Sequence, residues 1–139
     1  AIVVDENGVG GGVVDRLRQL GFKVHGVNSQ GAPTDKAKYI NLRAELYDLM
    51  KDWLRIGCID DSSTLRDDLK SPEFDFNNPK ALLQVESKEK MKARGLASPN
   101  DSDALMMTFA VHPARRDLRS SSSRRKGAVA KGIEFDVFA

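Results

Sequence analysis

The sequence predicts an α/β fold in which parallel strands are flanked by helices. Two observations carry this prediction. A strand, a glycine-rich turn, a helix and a second strand follow one another within the first 27 residues, and a strongly apolar helix opens near Ser98. The chain of 139 residues has the size of one domain with a single core.

The first elements form a βαβ unit. Residues 2–4 are a β-branched run typical of a buried strand. From Gly12 onward one helical face is apolar, and Gly21 stands where a C-terminal cap belongs. Residues 22–27 predict a second strand. Because a short helical crossover joins the two strands, we expect them to be parallel.

The middle of the chain predicts a loop and two helices. Residues 29–38 are rich in turn-forming residues, whereas residues 39–56 show helical periodicity. Asp61 or Ser62 can then cap a short helix that reaches about Leu69.

A third strand and a lysine-rich helix are predicted next. Residues 74–80 indicate a turn-rich link, and residues 82–86 are a strand candidate. Ser87 is placed to cap a helix that ends at Gly95.

The last predicted helix is expected to open with Ser98 as N-cap and Pro99 in the first helical position, which puts Asp101 at the third. Residues 104–111 are apolar at almost every position, which predicts a helix buried on most sides. Residues 133–138 alternate apolar and acidic residues and predict an edge strand or an ordered tail.

Several classes of protein are excluded or disfavoured by composition. The single cysteine, Cys58, rules out an internal disulfide framework, and His25 and His112 lack the spacing of zinc ligands. No apolar run approaches the ~20 residues of a membrane span, and the N-terminus has no signal-peptide pattern. Because the chain begins inside its first predicted strand, we interpret it as a fragment of something longer.

The glycine run of residues 8–12 raises the possibility of nucleotide binding. A G-x-G-x-x-G fingerprint starting at Gly8 would need a glycine where Val13 stands, and the acid expected after the next strand is missing. No G-K-[ST] motif follows. The glycines are better explained by a tight turn in which the backbone approaches a neighbour or a nucleic acid strand.

Acidic residues stand at two places where a sheet and a helix can meet. Asp5 follows the first strand, where ligands of α/β sheets collect, although a short acid there can also merely cap the turn. Asp101 and Asp103 lie two apart on a helix and cannot face the same metal pair. Asp103 is the preferred ligand, because it enters the most apolar stretch and a buried carboxylate needs a partner. Asp101 is retained as a further metal candidate.

Basic residues that could contact phosphates lie in two segments. Lys88, Lys92 and Arg94 belong to the predicted helix after the third strand, where a solvated face is the alternative explanation. Arg115 and Arg116 open a stretch with six basic residues against one acid, which could track a phosphate backbone or be a solvated segment.

Three sequence blocks, taken in order, resemble one protein family, the C-terminal nuclease domain of tailed-phage terminase large subunits. The first block is Val4-Asp5-Glu6-Asn7-Gly8-Val9-Gly10-Gly11-Gly12-Val13-Val14-Asp15, and the second is Tyr39-Ile40-Asn41-Leu42-Arg43-Ala44-Glu45. The third is Glu86-Ser87-Lys88 with Met91-Lys92-Ala93-Arg94-Gly95-Leu96, and it continues through Ser98-Pro99 and Asp103-Ala104-Leu105 to Thr108-Phe109-Ala110. The resemblance covers about residues 1–111.

The resemblance implies an incomplete RNase H-like nuclease domain over residues 1–111, followed by a basic C-terminal tail over residues 112–139. In that family two Mg²⁺ or Mn²⁺ ions, held by acidic residues, cut concatemeric double-stranded viral DNA during packaging. Asp5 matches the second acid and Asp103 the last. The family's first acid would lie upstream of Ala1, so we expect this fragment to be weak or inactive alone.

The same resemblance implies partners and a location. In the intact protein these would be the terminase ATPase domain, the small terminase subunit and the portal, in the cytoplasm of a bacterial host. An open sheet edge left by missing strands also predicts self-association of the fragment.

Two alternatives remain open from the sequence. One is a non-catalytic DNA- or motor-binding module, such as a prophage remnant, which the missing acid favours. The other is a flavodoxin-like small-molecule domain, which the failed glycine fingerprint disfavours.

Overall fold

The computed structural model describes residues 1–111. Four short strands and five α-helices follow in chain order within these residues: β1 (Ile2–Asp5), α1 (Gly10–Gln19), β2 (Val24–Val27), α2 (Leu42–Trp53), α3 (Ser63–Lys70), β3 (Phe74–Asp75), β4 (Gln84–Val85), α4 (Lys88–Ala93) and α5 (Asn100–Met107). A 3₁₀ turn, Thr108–Ala110, extends α5. No helix in this part of the chain is long and apolar enough to cross a membrane.

The predicted βαβ unit is confirmed. β1 and β2 pair in parallel, in a register that joins Ile2 to Val24 and Asp5 to Val27. The second strand begins at Val24 rather than at residue 22. Val27 belongs to the main core, whose other buried members are Leu46, Tyr47, Met50 and Met106. The end of β1 is therefore anchored beside α2 and α5.

The glycine run serves close packing of α1 against the end of β1. α1 begins at Gly10, two residues before the predicted start. A Cβ atom at position 10 would lie only 1.7 Å from the Asp5 carbonyl oxygen, so no side chain fits there. Gly8 takes a left-handed conformation in the turn, with φ +60°. These contacts agree with the backbone-approach interpretation of the glycines.

The long helix predicted over residues 39–56 is shorter at both ends. α2 spans Leu42–Trp53, and the Asn41 side chain caps it by accepting a hydrogen bond from the Ala44 backbone N–H. Tyr39 forms an isolated parallel bridge with Leu83 instead. Tyr39 and Ile40 fit the helical periodicity but lie before the helix, because the N-cap residue Asn41 has an extended backbone at which the helix begins.

The turn-rich link predicted over residues 74–80 hides a strand. β3 pairs antiparallel with β4, joining Phe74 to Val85 and Asp75 to Gln84. Two residues are too few to show an alternating pattern, so the sequence carries no strand signal there. Ser87 caps α4 as predicted, and Ser62, one of the two caps predicted for α3, is the one that the structure shows.

The last helix differs from its prediction in two ways. Its N-cap position is Pro99, without a side-chain cap, so Ser98 is not the cap and Asp101 takes the second helical position rather than the third. Ala104 is exposed, and only Ser102, Asp103 and Met106 of this helix are buried. The expectation of burial on most sides was therefore wrong, because α5 packs one face on the core rather than lying inside it.

Predictions on residues 112–139 lie outside the described residues. They are the edge strand over residues 133–138 and the basic tail with Arg115 and Arg116. The division of the chain at residue 111 stays a prediction.

Candidate functional site

A cleft of about 470 Å³ opens where the end of β1, the segment after β2 and helices α2, α4 and α5 meet. Its lining includes polar side chains from each of these elements: Asp5, Asn7, Ser29, Arg43, Lys88 and Asp103. The parallel pairing of β1 with β2 sets the carboxyl ends of both strands at this edge. The two acids preferred from the sequence, Asp5 and Asp103, thus line the same cleft.

Asp103 is a buried carboxylate with three protein partners. Its Oδ1 accepts hydrogen bonds from the Tyr47 hydroxyl at 2.8 Å and from Nη2 of Arg43 at 3.2 Å. Its Oδ2 lies 2.8 Å from Nζ of Lys88. The partner that a buried carboxylate requires is therefore supplied by protein cations, and burial alone does not call for a metal.

The ionisation of Asp103 follows from these contacts. Burial raises the pKa of its carboxyl group, but the hydrogen bond from Lys88, the charge of Arg43 and the Tyr47 hydroxyl outweigh that effect. The net result is a pKa below the ordinary value. Asp103 is accordingly a carboxylate at neutral pH, with the charge that a cation ligand needs.

Arg43 and Tyr47 are placed by α2. They stand four residues apart, on one face of the helix, and the guanidinium carbon of Arg43 lies 5.0 Å from the centre of the Tyr47 ring. Nη1 of Arg43 donates to the Glu86 carbonyl oxygen at 2.9 Å. The Arg43 side chain is only 7% exposed, and its Nε has no hydrogen-bond partner among the described residues.

Asp5 caps the glycine turn, which is one of the two roles considered for it from the sequence, and it also lines the cleft. Its Oδ1 accepts hydrogen bonds from the Asn7 backbone N–H at 3.0 Å and from Asn7 Nδ2 at 2.7 Å, which caps the glycine turn. Asn7 Nδ2 also donates to Ser29 Oγ at 3.0 Å and so ties the turn to the segment after β2. The carboxylate remains exposed toward the cleft.

Asp101 lies apart from this arrangement. It is exposed, it is not among the described residues that line the cleft, and its backbone N–H donates to a carboxylate oxygen of Asp68 at 2.7 Å. This placement supports Asp103 over Asp101. Within residues 1–111 no group of three His, Cys, Asp or Glu side chains is arranged to hold a metal ion.

The basic residues predicted to contact nucleic acid have different surroundings. Lys88 pairs with Asp103, and Lys92 is exposed. Arg94 holds the buried Glu86 carboxylate through two bonds, Nε to Oε1 at 3.0 Å and Nη2 to Oε2 at 2.6 Å, and Nη2 also reaches the Ser71 carbonyl oxygen at 2.9 Å. This internal pairing gives Arg94 a structural role beside the predicted one.

The sequence did not predict that Arg43 and Tyr47 are the buried partners of Asp103. The helical spacing of Tyr47 beside leucines indicates a core residue, and it is 4% exposed, but that spacing does not connect its hydroxyl to Asp103. Arg43 was singled out only as part of a family motif. Arg43 stands four residues before Tyr47, on the helix face that also carries Leu46 and Met50. This pattern was the available signal for a buried ion pair, because a buried cation requires a buried anion.

Comparisons with known proteins place the fold. No protein-family model and no curated protein matches the chain. A solved structure of the nuclease domain of the large terminase subunit of bacterial virus Sf6, a lysine-to-alanine mutant with manganese and β-thujaplicinol, matches with a TM-score of 0.67 and 23% identity, over 81% of this chain and 65% of that one. The same mutant domain with manganese gives a TM-score of 0.63 and 22% identity, over 79% and 65% of the two chains.

These matches confirm the predicted α/β class with an RNase H-like fold. A further structure of that domain, with calcium, has a TM-score of 0.60 and 22% identity, over 79% of this chain and 64% of that one. The chain spans 65% of the length of the first nuclease domain it matches. The resemblance noted from the sequence blocks therefore corresponds to a shared fold.

Proposed function

We propose that this chain is part of a metal-dependent endonuclease domain of a phage or prophage DNA-packaging terminase, which hydrolyses phosphodiester bonds of concatemeric double-stranded DNA. The observation that carries the proposal is the shared cleft of Asp5, from a strand end, and Asp103, from a helix, in a fold matched by terminase nuclease domains. Neighbours solved with manganese or calcium support the use of a divalent ion.

The side chains present suit Mg²⁺ or Mn²⁺. Both ions prefer carboxylate oxygens, and Oδ2 of Asp103 already binds a cation, the ammonium group of Lys88. Asp5 and Asp103 would hold the metal, with Asp101 a weaker candidate because it is turned away from the cleft. When bound, such an ion polarises the phosphate and lowers the pKa of a bound water.

Lys88 neutralises Asp103 while no metal is bound. Its side chain is 45% exposed, so its ammonium group can move into solvent when another cation takes its place at Oδ2. A displaced Lys88 becomes free to contact a DNA phosphate beside the cleft. The pair therefore supports both roles, a place-holder for the metal and the predicted nucleic acid contact.

Binding of DNA would depend mainly on phosphate contacts. The proposed contacts are Lys88 and Lys92 on α4, and Arg94 where it separates from Glu86. Arg115 and Arg116 would add to them from the tail. Such binding is tolerant of sequence and weakens as salt rises. The ATPase domain, the small subunit and the portal are proposed partners of the intact protein, in a bacterial host cytoplasm.

Self-association is a further proposal that the strand order supports. Among the described residues β1 pairs only with β2, which leaves its other edge open, and Ile2 at its start is 38% exposed. Light scattering at rising concentration tests it. A monomer at every concentration would refute pairing through this edge.

A non-catalytic DNA- or motor-binding module is the second candidate. It is favoured by the absence of a three-ligand cluster within residues 1–111 and by the protein cations that already neutralise Asp103. The two candidates differ in their response to metal, because only the nuclease needs it.

A plasmid-nicking assay separates them. The chain and a version extended by any residues that its gene encodes upstream of Ala1 are incubated with Mn²⁺ or with EDTA. We expect absent or slight nicking by the chain, stronger metal-dependent nicking by the longer version, and no nicking by Asp103→Asn. Asp101→Asn, which removes an exposed acid from the same helix, is the matched control. A longer version with an upstream acid that cuts nothing in Mn²⁺ would replace the nuclease with the binding module.

A further inference from the structure

We propose that Tyr47 and Arg43 are positioning residues that fix one oxygen of Asp103 and thereby present the other oxygen to an exchangeable cation. The inference rests on the proposed metal-dependent function and adds to it a defined task for two side chains of α2. It starts from an asymmetry between the two carboxylate oxygens.

The two oxygens of Asp103 have different kinds of partner. Oδ1 is bound from the inside by the Tyr47 hydroxyl at 2.8 Å and by Nη2 of Arg43 at 3.2 Å. Tyr47 is 4% exposed and the Arg43 side chain 7%. The structure pairs Oδ2 with Lys88, whose side chain is 45% exposed. One oxygen is therefore held by rigid buried groups and the other by a side chain that can move away.

The inner partners are themselves fixed. Arg43 donates through Nη1 to the Glu86 carbonyl oxygen at 2.9 Å and lies against the Tyr47 ring. The Tyr47 hydroxyl is also 3.0 Å from Oγ of Ser102, the fully buried residue just before Asp103. Helix α2 thus grips α5 at two successive residues, and a shift of Asp103 would disturb contacts from both helices.

The buried Nε of Arg43 supports a role beyond stability. It has no partner among the described residues, and an unpaired buried donor is unfavourable for folding. Arginine uses its fork here to join Asp103 to the Glu86 carbonyl group, a geometry that lysine cannot reproduce. The side chain therefore orients a carboxylate at some expense of hydrogen bonding.

The consequence for a metal site is a ligand that does not move when its cation changes. A carboxylate rotates easily about its last torsion unless hydrogen bonds hold it. With Oδ1 held, replacing the Lys88 ammonium by a divalent ion leaves Oδ2 in place. Loss of such outer contacts typically weakens metal affinity about 10–100-fold.

The test compares two tyrosine hydroxyls that make the same kind of bond. Tyr47→Phe removes the donor to Asp103, and Tyr39→Phe removes a donor, equally buried, to Asp48 at 2.7 Å. Binding of Mn²⁺ is followed by the loss of the free-ion signal in electron paramagnetic resonance, and folding by urea denaturation. We expect Tyr47→Phe to bind Mn²⁺ about tenfold more weakly, Tyr39→Phe to bind like the parent, and both to unfold at similarly reduced urea concentrations.

Each outcome decides the inference. Parental Mn²⁺ affinity in Tyr47→Phe, or an equal loss in Tyr39→Phe, overturns it while leaving the proposed function intact. If Tyr47→Phe does not fold, Arg43→Lys replaces it, since that change keeps the charge but cannot join Asp103 to Glu86, and parental affinity there also overturns the inference. If the parent and Lys88→Ala both bind no Mn²⁺, the inference fails, and the nicking assay on the longer version decides the proposed function separately.

Discussion

Two buried carboxylates of this molecule, Asp48 and Asp103, have the same kinds of hydrogen-bond and ion-pair partners. Asp48 accepts hydrogen bonds from Lys38 at 2.8 Å, from Lys51 at 2.6 Å and from the Tyr39 hydroxyl at 2.7 Å. Asp103 likewise has two cations and one tyrosine hydroxyl. Each carboxylate is neutralised within the described residues, so neither needs a metal to be tolerated in the fold.

The two centres differ in where their partners come from. The partners of Asp48 lie within ten residues of it in the chain, and they fasten the segment before α2 to that helix. Arg43 and Tyr47 stand 60 and 56 residues from Asp103, and they join α2 to α5 beside a cleft that Asp5 also lines. A neutralised carboxylate is therefore not by itself a sign of a site; the meeting of distant elements at a cleft is the distinguishing feature.

The largest effects are expected from replacing each of the two carboxylates in turn. Asp103→Asn should abolish Mn²⁺ binding, because it removes the charge of the better ligand, whereas Asp48→Asn should leave binding intact and lower stability. We expect parental binding to be no tighter than millimolar. Isothermal titration with Mn²⁺, alongside urea unfolding, measures both properties. Equal loss of binding in the two variants would erase the proposed distinction.

The next effect is the acid response of the Asp48 centre. Burial raises the pKa of Asp48, but the hydrogen bonds from Lys38, Lys51 and Tyr39 outweigh this and hold the pKa well below its usual range. A lowered folded pKa means that the stabilisation is present above the unfolded value of about 3.9 and is lost as the pH falls below it. The urea concentration at half-unfolding is measured from pH 6 to pH 2.5 in steps of about one unit, a range that brackets the unfolded pKa. As the pH falls, this concentration should decrease less in Asp48→Asn than in the parent. An unchanged slope would contradict the assignment.

A smaller effect concerns the competing cation. Lys88→Ala frees Oδ2 of Asp103 and should tighten Mn²⁺ binding at least about twofold, because the ammonium group no longer competes for that oxygen. Lys51→Ala, which removes a similarly exposed lysine from Asp48, should leave Mn²⁺ affinity unchanged. Weaker binding in Lys88→Ala would mean that the lysine assists the metal rather than competing with it.

The smallest expected effect is at Asp101. Asp101→Asn should bind Mn²⁺ within about twofold of the parent, because an exposed charge outside the cleft contributes only weakly through solvent. Titration beside Asp5→Asn, which we expect to weaken binding, provides the contrast. A loss in Asp101→Asn as large as that in Asp5→Asn would restore Asp101 as a ligand.

Whether the sequence could predict a feature depends on how far apart in the chain its interacting residues lie. The parallel pair β1–β2 and the cap at Ser87 depend on local patterns and were predicted correctly, and Ser62 was one of the two caps predicted for α3. The pairing of β3 with β4 and the partners of Asp103 are made by residues far apart in the chain or by elements too short to show a period. The choice of Asp103 was reached through its burial, although the structure satisfies that burial with Arg43 and Lys88.

The cap of α2 at Asn41 has a consequence for local opening. That helix begins just before Arg43, so any local opening of its first turn would release the bond from Arg43 to Asp103. Because a ligand that requires this bond must also oppose the opening, occupancy of the cleft and closure of the first turn of α2 are thermodynamically linked. The backbone amides after Asn41 would then exchange with heavy water more slowly whenever the cleft holds a divalent ion. Backbone exchange on α2 would thus report on occupancy of the cleft.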